Sequence, residues 1–152
     1  MLKQTLKKLF RRDLEKLKQE IDSYGDESKI WAIDAAISNS AGNLCLHLIG
    51  NINAYIGAEI GKTGYIRNRE LEFTLKDIPK SELLQKIDET IIVVENAFSD
   101  LTDENFAEEY PIVVFGEPMT TEYFLVHLTT HLAYHLGQIN YHRRLLDIEK
   151  AS

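Results

Sequence analysis

The chain has few of the residues that mark several other protein classes. Its 152 residues include one cysteine, Cys45, so no disulfide can form within the chain and a reducing compartment, the cytoplasm, is expected. Three prolines and eight glycines argue against long disordered stretches. No apolar run approaches the roughly 18 residues of a membrane span. Lysines interrupt the amphipathic N-terminus, which is therefore unlike a signal peptide.

The sequence also lacks an excess of basic residues. Lysine and arginine number 17 against 24 acids, which gives a formal net charge of −7. Such a surface repels phosphate backbones, so neither a nucleic acid nor a membrane is expected as a partner. The apolar neighbours of Cys45 favour a buried, inert thiol over a redox-active one. One soluble domain covering residues 1–152 is predicted.

The sequence does contain four long stretches with helical periodicity. Apolar residues at steps of three and four predict helices over residues 2–23, 37–60, 79–101 and 120–146. Residues 61–79 form a long connection, and residues 103–119 interrupt the pattern. Strand-like residues at 110–116 predict an irregular segment or a short hairpin arm. With no convincing sheet, the predicted fold class is an all-α four-helix bundle.

Histidines are concentrated on the last predicted helix. His131 and His135 are four residues apart, one turn along nearly the same face, and border its apolar arc. His127 lies further round the helix, and His142 points the right way but sits two turns further on. His47 has a similar place on the second helix, where a line of small residues predicts open volume beside the imidazole. These small residues are Ala36, Ser40, Ala54 and Ala58.

Two interpretations of these histidines remain open from spacing alone. Buried imidazoles need partners, and one shared metal ion would satisfy two of them. Hydrogen-bonded packing residues are the alternative. A helical HxxxH is common, and here it lacks both the glutamate of the HExxH zinc-protease motif and the Glu-x-x-His pair of di-iron bundles. The spacing therefore indicates a polar pocket inside the bundle without deciding what fills it.

The sequences around these histidines resemble a known family. Residues 131–139 (HLAYHLGQI), together with residues 46–51 (LHLIGN), resemble the DinB-like superfamily, and the resemblance extends over nearly the whole chain, including Trp31. Residues 64–73 (GYIRNRELEF) are similar to a subgroup of largely uncharacterised bacterial members. Many relatives have His-Arg or His-His around the last histidine, where this chain has Tyr134 and Leu136. This departure affects the polarity of the pocket.

The resemblance implies a bundle in up-down-down-up order that holds a divalent ion, usually nickel or zinc. The implied ligands are His47, His131 and His135. Three neutral imidazoles leave coordination positions open for water or a small-molecule substrate. Relatives also pair through bundle faces, so the resemblance implies a homodimer.

The resemblance leaves the reaction open. Some members transfer low-molecular-weight thiols such as bacillithiol or mycothiol, so a thiol co-substrate is one expectation, and others are hydrolases. A bound ion would increase the thiolate population of such a thiol. The alternative to an enzyme is a non-catalytic metal-binding or stress-associated protein, in which the ion stabilises the bundle.

Further polar residues are candidates for supporting roles. Amides near the predicted ligands either orient an imidazole or bound water, or line the pocket. They are Asn43, Asn51 and Gln138, with His142 as a residue at the pocket edge. Arg67 and Arg69 suit recognition of a substrate carboxylate. Nothing in the sequence links these arginines to the pocket, so a surface pair balanced by Glu70 and Glu72 is favoured.

Overall fold

The structure, a computed structural model, describes residues 1–148, which are helical with irregular connections. The α-helices are α1 (Leu2–Asp22), α2 (Ala41–Ile52), α3 (Arg69–Thr74), α4 (Lys80–Ser99), α5 (Asp103–Ala107) and α6 (Thr121–Leu146). A 3₁₀ helix (Glu27–Trp31) precedes α2, and a π-helical turn (Asn53–Ala58) continues it. The predicted all-α fold class is confirmed. Within residues 1–148 no helix has the length and apolar character needed to span a bilayer.

The four long helices form the bundle, and contacts between their ends give their directions. Lys3, at the start of α1, donates a hydrogen bond to the Leu101 carbonyl just beyond α4 (2.8 Å), so α1 and α4 are antiparallel. Arg143, at the end of α6, pairs with Glu20 at the end of α1 (2.7 Å), so these two helices are parallel.

The direction of α2 completes the topology. Tyr55, after α2, packs edge-on against Phe124 at the start of α6, with ring centroids 5.0 Å apart. Since α2 is therefore antiparallel to α6, it runs in the same direction as α4. The order is up-down-down-up, as predicted. Two successive parallel helices need a long crossover between them, which residues 61–79 provide.

The core is lined by stripes from each long helix. The stripe of α1 consists of Leu6, Phe10, Leu14, Leu17 and Ile21, all buried. The periodicity of the sequence predicts that the stripe of α4 includes Leu84 and Ile91. Both are only half-buried, whereas Leu83 and Thr90 are fully buried. Thr90 is tolerated there because its hydroxyl donates to the Lys86 carbonyl (2.7 Å) and accepts from the Asn53 amide (2.9 Å). The stripe is therefore rotated by part of a turn from the prediction.

The predicted start of the second helix at residue 37 is wrong. Ser40 caps α2 by accepting a hydrogen bond from the Asn43 backbone N–H (3.1 Å), so the helix begins at Ala41. Residues 36–39 belong to the preceding connection, in which Ala35 has a left-handed backbone (φ 47°). Ala36 therefore does not lie on the helix with His47, and Ser40 is a cap.

The segment between α4 and α6 takes the irregular form of the predicted arm. Within residues 1–148 the only strand-like pairing is one antiparallel bridge, between Glu109 and Thr120. Tyr110 anchors the segment, because its hydroxyl donates to the Tyr55 carbonyl (2.6 Å) and its side chain is buried. Helix α5, capped by Thr102, and helix α3, capped by Asn68, were not predicted; both are no more than six residues long.

His142 has a structural position on the face of α6 that meets α1. Its side chain is buried, its Nε2–H donates to the Ala32 carbonyl (2.7 Å), and its Nδ1 accepts from the Tyr24 hydroxyl (2.5 Å). Both ring nitrogens are therefore engaged. The residue ties the end of α1 and the following connection to α6.

We expect Tyr24→Phe to lower the free energy of unfolding by about 1–3 kcal/mol, because it leaves the buried His142 Nδ1 without a partner. Urea denaturation checks this. Tyr141→Phe is the matched control, since Tyr141 is 62% exposed, and a change below about 0.5 kcal/mol is expected there. Equal stabilities for the two variants would contradict the role assigned to His142.

Candidate metal centre

Three imidazoles from two helices meet in the interior of the bundle. His47 comes from α2, and His131 and His135 come from adjacent turns of α6. One nitrogen from each ring lies within 4.8 Å of the other two. The Nε2 atoms of His47 and His131 are 3.2 Å apart. The structure thus brings together the three histidines that the resemblance implied as ligands.

The hydrogen bonds of His47 fix its tautomer. Its Nδ1 lies 3.0 Å from Glu72 Oε1 and 3.3 Å from the Arg67 Nη2 atom, which donates instead to Glu72 Oε1 (2.9 Å). Burial acts to raise the pKa of Glu72, but hydrogen bonds from His47 and Arg67 outweigh it, so the pKa lies below that of an ordinary glutamate. An ionised carboxylate only accepts, so His47 Nδ1 carries the hydrogen. Its Nε2 lone pair faces the other imidazoles.

His135 has the same arrangement. Its Nδ1 lies 2.7 Å from the Gln138 amide oxygen, which requires the ring hydrogen on Nδ1 and leaves the Nε2 lone pair free. Burial lowers the pKa of His135, against the opposing effect of this hydrogen bond. The ring is therefore neutral at neutral pH, as a metal ligand must be.

His131 completes the cluster with an unsatisfied ring. Burial, with smaller contributions from the imidazoles of His135 and His47, lowers the pKa of His131 to about 4. Its Nδ1 is buried and has no hydrogen-bond partner within residues 1–148, and its Nε2 faces the lone pair of His47. Without a cation, one of the two facing nitrogens must carry a hydrogen to avoid repulsion between lone pairs.

The donor set fits a divalent ion. Tetrahedral ligands about 2.0–2.1 Å from a zinc ion are about 3.3 Å from one another, and the His47–His131 nitrogen separation is 3.2 Å. Metal-bound histidines usually donate their second N–H to a carboxylate or carbonyl oxygen. Glu72 and Gln138 supply such acceptors to His47 and His135. The cluster is therefore compatible with metal binding.

Glu72 is the residue of this site that the sequence did not reveal. It forms two hydrogen bonds with Arg67, each 2.9 Å long, and only 6% of its side chain is exposed. The expected pairing of Arg67 with Glu72 is therefore found, but its expected surface position is wrong, because this ion pair is buried against His47. The Glu72 carboxylate can pack against α2 at this point because residue 50 is glycine. A Cβ there would lie 1.9 Å from Glu72 Oε2.

Asn43 acts on the site through the backbone that carries Glu72. Its amide donates to the carbonyls of Glu72 (2.9 Å) and Leu75 (2.8 Å), and its oxygen accepts from Lys76 Nζ (2.7 Å). These bonds fix the end of α3 against α2. Asn43 is thus buried and its hydrogen bonds go to groups other than the imidazoles, so its contribution is to position α3.

A cavity of about 360 Å³ adjoins His47 and His131. Its lining side chains include two cations, Arg67 and Arg69, and the buried Asn51, whose amide oxygen has no partner within residues 1–148. His127, which the sequence places further round the helix, also lines this cavity, with its ring 4.8 Å from that of Phe115. The open volume beside His47 thus lies along Asn51 and Tyr55, and not along the predicted line of small residues.

The family of the chain follows from its sequence. Residues 2–151 match a family described as a protein of unknown function, DUF1572. The chain belongs to this family. It matches none of the curated proteins with which it was compared.

The fold of this DUF1572 protein is similar to that of a solved protein. The crystal structure of a conserved protein from Enterococcus faecalis is similar with a TM-score of 0.74 and 14% identity, and the alignment covers 94% of this chain and 95% of that one. At this identity the similarity concerns the fold alone.

The remaining candidates of this DUF1572 protein are not among the three imidazoles, although Gln138 contacts His135, which lines the second cavity with it. His142 and Gln138 line a second cavity, of about 780 Å³, between α6 and the connection that precedes α2. Cys45 is fully buried, and burial raises the pKa of its thiol to about 12. A thiol with this pKa is protonated at neutral pH, so Cys45 is not a nucleophile.

Proposed function

We propose that this protein is a DinB-like, divalent-metal-dependent enzyme in which His47, His131 and His135 hold a nickel or zinc ion. One observation carries the proposal: His47 and His135 have Nδ1–H groups bonded to oxygens, so their Nε2 atoms are left to share a cation with a third imidazole, His131, whose Nδ1 has no partner within residues 1–148. The adjoining cavity supports catalysis over a purely structural ion, because a substrate can reach one side of the cluster.

The lining of the cavity favours thiol transfer over hydrolysis. A divalent ion held by neutral imidazoles is a Lewis acid that lowers the pKa of a thiol bound to it. Hydrolysis of an amide or ester is commonly assisted by a carboxylate base close to the attacking water. No carboxylate among residues 1–148 lines this cavity, and Glu72 is engaged by His47 and Arg67.

The proposed step is nucleophilic substitution by a low-molecular-weight thiol. The S–H proton passes to an imidazole, for which His127 on the cavity wall is available. The sulfur electron pair forms a new S–C bond to the electrophile, and the leaving group departs with the electrons of its former bond to carbon. The aromatic side chains of Phe115 and Phe124 provide an apolar surface for the electrophile.

A panel of thiols and carbon electrophiles, assayed with nickel- and zinc-loaded protein, tests this function. We expect thioether formation that is lost with the metal, and a decrease of about 100-fold in kcat for His127→Gln, with metal content unchanged. Turnover retained in metal-free His47→Ala protein would contradict the proposal. A non-catalytic metal-binding protein predicts instead a lower melting temperature on chelation and no turnover across the panel.

A further inference from the structure

The cavity beside the histidine cluster is positively charged, although the protein carries a formal net charge of −7. Two guanidinium groups line it, and no carboxylate among residues 1–148 does so. The charge of Arg67 is balanced by its two hydrogen bonds with Glu72. Arg69 therefore supplies the net charge of the lining.

Arg69 is an exposed residue that lines the cavity and has no acidic partner within residues 1–148. No carboxylate within residues 1–148 lies within ion-pairing distance of it, and its guanidinium carbon is 5.8 Å from the centroid of the Phe73 ring. The Phe73 ring is in turn 5.0 Å from the His47 ring. This stacking leaves the N–H groups of Arg69 available, because a cation–π contact uses the face of the guanidinium and not its edge.

A second group in the same cavity also lacks a partner. Asn51 is a buried residue (7% exposed) that lines the cavity, and its buried amide oxygen has no hydrogen-bond partner within residues 1–148. A buried acceptor without a partner costs about 1–3 kcal/mol. A bound molecule that donates a hydrogen bond to this oxygen removes the cost.

We propose that the cavity is a subsite for a small organic anion, whose carboxylate pairs with Arg69 while an N–H or O–H group of the same molecule donates to Asn51. The inference rests on the proposed function for the other end of the ligand, a thiol directed toward His47 and His131. The substrate class is thus a mercaptocarboxylate that carries an additional hydrogen-bond donor. A neutral thiol of the same size lacks the interaction with Arg69.

Thiol binding to cobalt(II)-loaded protein tests the subsite without any assay of turnover. The probes are ω-mercaptocarboxylates of three to six carbons, each compared with its neutral amide, and the absorption band of cobalt-bound thiolate reports occupancy. At the best-fitting length the carboxylate is expected to bind about ten-fold more tightly than the amide, as one charge-assisted hydrogen bond provides.

Variants test whether the preference for the carboxylate probe depends on Arg69 itself or on the overall charge of the protein. In Arg69→Gln we expect the preference for the carboxylate to fall within about two-fold of unity, and in Arg69→Lys we expect part of it to remain. Arg144→Gln is the matched control, because Arg144 is exposed and stacks similarly, 5.3 Å from the Tyr141 ring centroid. It should retain the full preference.

The outcomes also distinguish this inference from the function on which it rests. A preference that is absent at every chain length, or that persists in Arg69→Gln, overturns the subsite and leaves the metal site standing. Absence of the cobalt–thiolate band with every thiol, amides included, overturns the proposed function and the subsite with it.

Discussion

Replacing His47 with alanine is expected to weaken metal binding by more than 100-fold. Loss of a hydrogen-bonded residue behind a metal ligand typically costs about 10–100-fold in affinity, so loss of a ligand itself should exceed that range. The remaining imidazoles, His131 and His135, belong to one helix and cannot enclose the ion from the α2 side. The affinity is measured by competition with a chromophoric chelator, and metal content by elemental analysis.

His127→Gln is the matched control for this experiment. His127 lies on the same helix one turn before His131, and lines the cavity without belonging to the histidine cluster. We expect it to retain the affinity and the metal content of the unchanged protein. If His47→Ala and His127→Gln bound metal equally well, the three histidines would not be the ligand set.

Gly50→Ala is expected to destabilise the protein by about 3 kcal/mol and to weaken metal binding by about 10–100-fold. A methyl group at residue 50 would lie 1.9 Å from Glu72 Oε2, so the carboxylate must leave its place against Arg67 and His47. Overpacking costs about 1–3 kcal/mol, and breaking a buried ion pair costs more. The variant also removes the acceptor that fixes the tautomer of His47.

The expected change in stability at residue 50 has the opposite sign to that of an ordinary glycine-to-alanine substitution in a helix. In a helix without steric conflict, glycine to alanine stabilises by up to about 1 kcal/mol. Gly137→Ala provides that comparison, because nothing lies within 4 Å of a Cβ built there. Thermal or urea unfolding compares the stabilities of the two variants. A Gly50→Ala protein as stable as Gly137→Ala, with unchanged metal affinity, would show that the Glu72 carboxylate does not pack against Gly50.

Local periodicity was enough to predict the part of the site that lies on α6. His131 and His135 occupy adjacent turns of one uninterrupted helix, so a spacing of four residues fixes their relation without knowledge of the rest of the fold. The start of α2 was harder to predict. Helix-compatible residues continue upstream to Ile37, and only the Ser40 cap fixes the start of the helix at Ala41.

Glu72 could not be predicted because its position depends on contacts between distant parts of the chain. It is 25 residues from His47 and lies on α3, whose six residues are too few for a periodic pattern. Its backbone is fixed by Asn43, and its side chain fits only against Gly50. In the sequence it appears as one of several charges in a long connection, although in the fold it forms a buried pair with Arg67.

Anomalous diffraction from crystals grown with zinc, recorded on both sides of the zinc absorption edge, tests the metal centre most directly. We predict one strong peak about 2.0–2.1 Å from a ring nitrogen of each of His47, His131 and His135. The Nδ1 atoms of His47 and His135 should still face Glu72 and Gln138. A difference map with no peak among these imidazoles, at a zinc concentration that occupies other sites, would contradict the assignment of a metal centre here.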